Sequence, residues 1–157
     1  MNTFDTTGFS DAKNKNTTKC TDQLSIIHQN LQSIGNSVDL LEDFLNQQND
    51  CDVLCVTEHW KTYSQLENYG VKGFSLAASF CRQLEKTHGG SAIYVKTELR
   101  NKKRHDIDRL SQENIFECCG CEVTVKGINI ICISVYRPPN GEFRLFLEKM
   151  EQLYYYA

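Results

Sequence analysis

The stretch that most constrains the fold is INIICISVYRPPN, Ile128–Asn140. Its first part is almost wholly apolar and rich in β-branched residues. This composition predicts a strand buried on both faces, because a half-exposed strand would alternate apolar and polar residues. The strand must end at Pro138 and Pro139, the only 2 prolines of the chain, since neither can donate a hydrogen bond to a sheet. We therefore expect Tyr136 and Arg137 to lie at a sheet rim, where mixed α/β proteins often place functional sites.

Length and composition indicate one globular domain. The chain has 157 residues with 40% hydrophobic and 24% charged side chains, values that fit an ordinary folded protein. Its net charge of -3 gives no overall basic character of the kind that indicates a nucleic-acid partner, although a local basic patch is still compatible with the sequence. It has no apolar run of about 18 residues and no apolar N-terminal signal segment, so we expect an intracellular protein, cytoplasmic or nuclear, that is neither membrane-bound nor secreted.

The 8 cysteines are expected to be reduced. Several lie inside apolar, strand-like runs, and with no secretory signal expected this pattern favours buried thiols over a disulfide framework. The cluster Cys118–Cys121 raises a zinc hypothesis, but its spacing is not Cys-x-x-Cys and no second pair with matching spacing follows. An ordinary strand with small side chains is the favoured interpretation.

The hydrophobic pattern predicts about six strands and two helices, an α+β or mixed α/β arrangement. The first helix spans Val38–Gln48, where apolar residues recur at helical spacing, and the second begins near Glu142. The predicted strands are Leu24–His28, Asp52–Thr57, Gly73–Ala78, Ser91–Val95, Ile115–Val125 and Ile128–Tyr136. The last two form an antiparallel hairpin through Lys126-Gly127. The first two flank a helix as a βαβ-like unit and are expected to share a sheet.

The remaining segments are predicted to be irregular. Residues 1–22 are polar and poor in large apolar side chains, which predicts a disordered leader before a domain of residues 23–157. Residues Lys61–Lys72 are expected to form a loop with at most one helical turn. The charged stretch Leu99–Gln112 is interpreted as a solvated connection.

Polar side chains follow three of the predicted strands. If the first two strands are parallel, Asn30 and Glu58 lie at the same rim. A carboxylate beside a carboxamide offers the oxygen ligands that Mg²⁺ or Mn²⁺ prefers. The Tyr136 hydroxyl and the Arg137 guanidinium have the chemistry to orient and neutralise a phosphate. Each residue taken alone also fits a solvated strand end or a turn.

Four blocks of the sequence carry a family resemblance. They are HQNLQSI at 28–34, CDVLCVTEHW at 51–60, GGSAIYVK at 89–96 and SVYRPPNG at 134–141. In order and spacing these blocks resemble the endonuclease/exonuclease/phosphatase superfamily and, more narrowly, the endonuclease domain of animal non-LTR retrotransposons. The resemblance implies an α/β two-sheet sandwich that hydrolyses a DNA phosphodiester with Mg²⁺ or Mn²⁺.

The resemblance also implies roles for particular residues. Glu58 would be the metal-binding carboxylate, and Asn30 would help to hold the metal and the scissile phosphate. Tyr136 would stand at that phosphate as the third catalytic residue. The DNA-contacting or phosphate-contacting residues would be Arg137, Asn140 and His59. The pair Gly89-Gly90 would permit a tight entry into the following strand.

The resemblance covers only the N-terminal half of the family's domain. The Gly-Asp-Phe-Asn and Ser-Asp-His blocks that follow in the family are absent from this sequence. They supply the group that orients or activates water, whose loss costs about 10²–10⁴-fold in rate. We therefore expect an N-terminal fragment with little or no nuclease activity that holds Mg²⁺ weakly.

Truncation carries a second expectation, about packing. The sandwich is expected to be reduced to about one mixed sheet with two helices, which would leave an apolar sheet face exposed and favour self-association. Two alternative functions stay open at this point. One is a non-catalytic binding or oligomerisation module that uses this face, and the other is a phosphatase of the same superfamily. The Tyr136–Asn140 loop favours DNA over a small phosphate ester.

Overall fold

The computed structural model describes residues 23–48, 50–83 and 88–156. The predicted leader, residues 1–22, lies outside these ranges. The described strands are β1 (Ile26–Asn30), β2 (Val53–Thr57), β3 (Phe74–Phe80), β4 (Ser91–Lys96), β5 (Arg100–Lys103), β6 (Glu117–Val125) and β7 (Ile128–Tyr136). The described helices are α1 (Ile34–Gln48), α2 (Tyr63–Leu66), α3 (His105–Asp108) and α4 (Phe143–Tyr154). None of these helices is long and apolar enough to cross a membrane.

The first sheet has the strand order β1-β2-β4-β3. Strands β1 and β2 are parallel, as their flanking of α1 predicts, and the other pairs are antiparallel. The register sets Asn30 opposite Thr57, the residue before Glu58. The carboxyl ends of β1 and β2 therefore meet at one rim of the sheet, as the sequence analysis predicts.

The second sheet is antiparallel, in the order β5-β6-β7. Its β6–β7 hairpin turns at Lys126 and Gly127, both with positive φ, in agreement with the prediction. The segment Leu99–Gln112 is not a mere connection, because it contains β5 and α3. Strand β5 was not predicted because its side chains are charged. Among the described strands it pairs only with β6, and such edge strands commonly carry charged side chains.

Strand β7 is less buried than its apolar sequence predicts. Within it only Cys132 and Ser134 are buried, and Ile128 at its start is 66% exposed. Both faces contact apolar clusters, since Ile130 packs on the side between the sheets and Ile131 on the opposite side. Most of the strand is nevertheless only half-buried, because within the described residues β7 lies at an edge of its sheet.

The two sheets pack face to face across an apolar core. Val53, Ile93 and Val95 of the first sheet share this core with Cys121 and Val123 of the second. The prediction of an α/β two-sheet sandwich is thus confirmed. The prediction of about one mixed sheet with two helices is wrong, since the second sheet assembles from β5, β6 and β7.

The outer faces of both sheets are covered by helices. Ile34 and Leu41 of α1 pack over Leu54 of the first sheet. Ile107 of α3 and Leu153 of α4 pack over the second sheet, in a separate apolar cluster. The prediction of an exposed apolar sheet face is therefore wrong, and self-association through such a face loses its structural basis.

The described cysteines are free, and most are buried. Strand alternation separates the cysteine cluster, because Cys118 packs under α3 and α4 whereas Cys119 and Cys121 lie between the sheets. Burial raises the pKa of Cys118 to about 11, with a lesser opposing effect of its hydrogen bond to Ser111. The cluster is thus split between two apolar cores and does not converge on a common point. The described ranges contain no group of three or more His, Cys, Asp or Glu side chains able to hold a metal ion.

Candidate functional site

A cleft of about 770 Å³ opens at the rim where β1, β2 and β7 end. It combines residues from five separated segments of the chain. They are Gln32, Glu58, Trp60, Arg82, His88, Glu113, Asn114, Tyr136, Pro138, Pro139 and Asn140. Two acidic side chains and one arginine face this space, so it carries a negative rather than a positive balance of fixed charge. This balance weakens the binding of an anionic ligand, and a bound cation would offset it.

Three of the residues singled out in the sequence form one connected group. The Asn30 amide Nδ2 donates a hydrogen bond of 2.7 Å to Glu58 Oε1. The Tyr136 hydroxyl also hydrogen-bonds to Glu58, on the side of the cleft formed by β7. Burial, followed by this hydrogen bond, raises the pKa of Tyr136 to about 12. Tyr136 therefore remains a neutral donor at neutral pH.

Backbone contacts hold Glu58 in an unusual conformation. Glu58 and Trp60 have φ values of 55° and 56°, in the left-handed region that costs a non-glycine residue about 1–3 kcal/mol. Hydrogen bonds from the Glu58 amide to the Gly90 carbonyl (2.9 Å) and from the Ser33 amide to the Glu58 carbonyl (2.9 Å) maintain it. Strain of this kind concentrates at functional sites, and here it directs the Glu58 carboxylate into the cleft.

His59 does not lie on the surface of the cleft. Its ring is 0% exposed; Nε2 donates to the Phe80 carbonyl at 3.0 Å, and Nδ1 accepts from the Lys61 amide at 3.1 Å. Burial is the main cause that lowers its pKa to about 4. A ring with both nitrogens engaged inside the protein cannot contact a bound strand, so the prediction that His59 binds DNA or phosphate is wrong. The physical reason is that neighbouring side chains of an extended chain point in opposite directions. Glu58, with its positive φ, faces the cleft, and His59 therefore points into the protein interior.

Gly89 and Gly90 allow the chain to pass closely behind the cleft. Both have positive φ, at 124° and 91°, as their predicted role in a tight entry to β4 requires. A Cβ atom on Gly90 would overlap the His59 ring, and one on Gly89 would overlap the Arg82 guanidinium. Neither glycine is therefore exchangeable for a larger residue without movement of a neighbour.

Gly90→Ala is expected to lower the free energy of unfolding by about 1–3 kcal/mol, from overpacking against His59 and from strain at positive φ. Urea denaturation compares this variant with Gly73→Ala. Gly73 also has positive φ (82°), but a Cβ there has open space around it. A Gly90→Ala cost no larger than that of Gly73→Ala would contradict the close approach to His59.

The two loop residues predicted to face DNA have different placements. Asn140 lines the cleft beside Pro138 and Pro139. Arg137 is exposed, lies outside the lining, and has its guanidinium 5.8 Å from the centre of the Phe143 ring. Contact of Arg137 and Asn140 with DNA stays a prediction.

An ion pair at the back of the cleft was not predicted from the sequence. Glu117, at the start of β6, is 0% exposed, and Arg82 Nη2 and Nε approach its Oε1 at 2.6 and 2.7 Å. Its register partner across the β6–β7 hairpin is Tyr136. The available signal was an acidic residue between Phe116 and Cys118 in an apolar stretch. Arg82 follows β3 without any distinguishing pattern.

An aromatic pair lines another part of the cleft. The rings of Trp60 and His88 lie 4.4 Å apart between centroids, with an interplanar angle of 60°. The Trp60 indole Nε1 is buried and has no hydrogen-bond partner among the described residues. The sequence alone suggested neither the pairing nor its position in the cleft, because 28 positions separate the two residues.

The chemistry of Glu58 and Asn30 fits a hydrated divalent ion rather than a fully protein-coordinated one. Glu58 supplies one carboxylate and Asn30 one amide oxygen, both hard ligands. Mg²⁺ commonly binds proteins through one or two carboxylates and keeps several waters. The residues present therefore fit a weakly held Mg²⁺ or Mn²⁺ at Glu58.

Comparison with known proteins supports the fold. No family model matches the chain, and no curated protein matches it in sequence. Among solved structures, the chain is similar to the endonuclease domain of TRAS1, a telomere-specific non-LTR retrotransposon, with a TM-score of 0.62 and 14% identity over 85% of this chain. The match spans 53% of that structure, so the chain covers about half of its length. At this identity the likeness shows an endonuclease-type α/β sandwich fold and a distant resemblance.

Proposed function

We propose that this chain is part of a Mg²⁺-dependent DNA endonuclease of the retrotransposon type, and that its cleft binds a phosphodiester beside Glu58. The observation that carries the proposal is the hydrogen-bonded group Asn30–Glu58–Tyr136 at the head of the cleft. The nuclease fold of the TRAS1 domain supports it. DNA as the ligand follows from that likeness and from the sequence resemblance together.

Each residue of the group has a distinct part in the proposal. The Asn30 amide orients the Glu58 carboxylate through the 2.7 Å hydrogen bond. Glu58 would hold the metal ion, which when bound supplies positive charge for the phosphate oxygens. Tyr136 would turn its single O–H donor from Glu58 to a phosphate oxygen when a metal ion occupies the carboxylate, and its raised pKa keeps the proton on the hydroxyl.

Hydrolysis by this chain alone is expected to be slow. His59 cannot serve as a general base from its buried position, with both ring nitrogens engaged. Without a positioned base the rate falls by about 10²–10⁴-fold. We therefore expect metal-dependent binding of DNA in this cleft without efficient cleavage.

The test of binding is fluorescence anisotropy with a labelled DNA duplex, with Mg²⁺ or with EDTA. The wild-type chain should bind more tightly with Mg²⁺, and Glu58→Gln should lose that gain. Glu98→Gln is the matched control, because Glu98 is exposed in the turn after β4, at the opposite end of that strand from Gly90. Equal affinity with Mg²⁺ and EDTA would overturn the metal-dependent function in favour of a non-catalytic binding module.

The test of cleavage is plasmid nicking in Mg²⁺. We expect nicking at or near background for the wild-type chain and for Glu58→Ala. Robust nicking that Glu58→Ala abolishes would confirm the site and overturn the expectation of inactivity. Hydrolysis of a small phosphate ester without DNA binding would favour a phosphatase of the same superfamily instead.

A further inference from the structure

The ion pair of Arg82 and Glu117 has a geometry that a purely structural role does not require. A buried ion pair contributes little net stability, because both charges must be removed from water, and an apolar pair of similar volume often does as well. This pair lies at the wall of the cleft, with Glu117 entirely buried and the Arg82 side chain 11% exposed. The cation is therefore the partner that reaches the cleft, and the anion lies behind it.

Both carboxylate oxygens of Glu117 accept hydrogen bonds that hold the side chain in place. Its Oε2 accepts a hydrogen bond of 2.6 Å from the Gly90 amide, and its Oε1 accepts one of 3.1 Å from the Asn114 amide in addition to the Arg82 contacts. These donors come from three separate segments of the chain. The carboxylate is thus fixed from several directions, and so is the guanidinium bound to it.

Arg82, which lines the cleft, keeps guanidinium donors that Glu117 does not engage. Of the five guanidinium N–H groups, the one on Nε donates to Glu117 Oε1, and Nη2 forms an ion-pair contact of 2.6 Å with the same oxygen. The Nη1 amino group has no partner among the described residues. The backbone of Gly89 passes directly against the guanidinium, where any side chain would overlap Nε, Cζ and Nη2. The plane of the guanidinium is therefore set on one side by Gly89 and on another by Glu117.

We propose that Arg82 binds a phosphate of the DNA backbone in the cleft and that Glu117 is its positioning residue. Planar guanidinium groups suit phosphate oxygens, and fixing the plane in advance lowers the conformational cost of binding. Arg82 and Glu58 line the same cleft, so one phosphate backbone can contact both. This proposal rests on the proposed function for the identity of the ligand, but it does not depend on the metal ion.

The experiment measures the salt dependence of DNA binding in EDTA, where the contribution of a metal ion at Glu58 is absent. Each phosphate contact contributes about 0.9 to the slope of log K against log salt concentration. The double variant Arg82→Gln/Glu117→Gln removes both charges together, which avoids a lone buried carboxylate. Its salt dependence is expected to be weaker, with a slope whose magnitude is about 0.9 smaller than that of the wild-type chain. Circular dichroism checks that it is folded.

Two further variants separate phosphate contact from general charge and from positioning. Arg100→Gln removes an exposed arginine at the other end of the second sheet, beside Thr124, and should leave the slope unchanged. Arg82→Lys keeps the charge but loses the planar donor set. It should retain most of the salt dependence of the wild-type chain and bind DNA more weakly. Circular dichroism of this variant establishes that it is folded, so it can replace the double variant if that one does not fold.

The outcomes distinguish this proposal from the proposed function. An unchanged slope in the double variant, or a wild-type chain that does not bind DNA in EDTA, overturns the role of Arg82. If the double variant does not fold, Arg82→Lys decides: affinity equal to that of the wild-type chain overturns the role, and weaker binding supports it. A slope that falls as expected while Glu58→Gln shows no Mg²⁺ effect supports the role of Arg82 and contradicts the metal-dependent function.

Discussion

Arg82→Ala is expected to lower the free energy of unfolding by about 3–5 kcal/mol. The substitution removes the only charged partner that the described residues place on Glu117, which is 0% exposed and lies between the strands and the Asn114 turn. A lone carboxylate in that position is left buried without a compensating charge, and this costs stability.

Urea denaturation at pH 7 measures this change, and Arg82→Gln/Glu117→Gln is the matched comparison. The double variant leaves no buried charge at this position, and the glutamine that replaces Glu117 still offers an amide oxygen to the backbone donors of Gly90 and Asn114. It should therefore be closer to the wild-type stability than Arg82→Ala is. A single variant as stable as the double variant would show that Glu117 is not confined as the structure describes.

Acidification is expected to destabilise the folded chain through His59, by about 3 kcal/mol in total. Burial lowers the folded-state pKa of His59 to about 4, whereas an unfolded histidine titrates near 6.5. Above pH 6.5 both states are neutral and the full contribution is present. Between pH 6.5 and about 4 the unfolded state takes up a proton that the folded state does not, so stability is lost as the pH falls.

The hydrogen bonds of His59 give the same direction independently. Nδ1 accepts from the Lys61 amide, and a proton on that nitrogen would place two donors against each other. Stability measured by urea denaturation from pH 7.5 to 4 should show the loss. His59→Gln retains a donor for the Phe80 carbonyl but does not titrate, so its stability should vary less with pH. An equal pH dependence in both proteins would contradict a neutral, buried His59.

Much of the architecture could be predicted from local patterns. The continuous apolar runs at β2 and β7 and the helical periodicity of α1 are strong local signals, because burial of a whole strand or helix face leaves a repeated mark on the sequence. The parallel pairing of β1 and β2 follows from the helix between them. That pairing alone brings Asn30 and Glu58 to one rim, so this part of the candidate site was predictable.

The second sheet was not predictable in the same way. Strand β5 has the sequence Arg-Asn-Lys-Lys, which carries no apolar alternation. It forms a strand because its backbone pairs with β6, and such pairing is a tertiary property. Without β5 and α3, the predicted strands and helices were too few to cover both faces of the predicted sheet. An exposed apolar face was predicted for this reason.

The stretch Ile128–Asn140 shows where the two kinds of information divide. Local sequence was enough to predict an apolar strand ended by two prolines, with Tyr136 and the following loop at a rim, because hydrophobicity and proline geometry act within a few residues. The folded structure was needed to show that Glu58, Arg82 and Glu117 surround that rim and that His59 turns away from it. Their positions depend on φ values, strand register and buried charge pairs between segments far apart in the chain, none of which leaves a local pattern in the sequence.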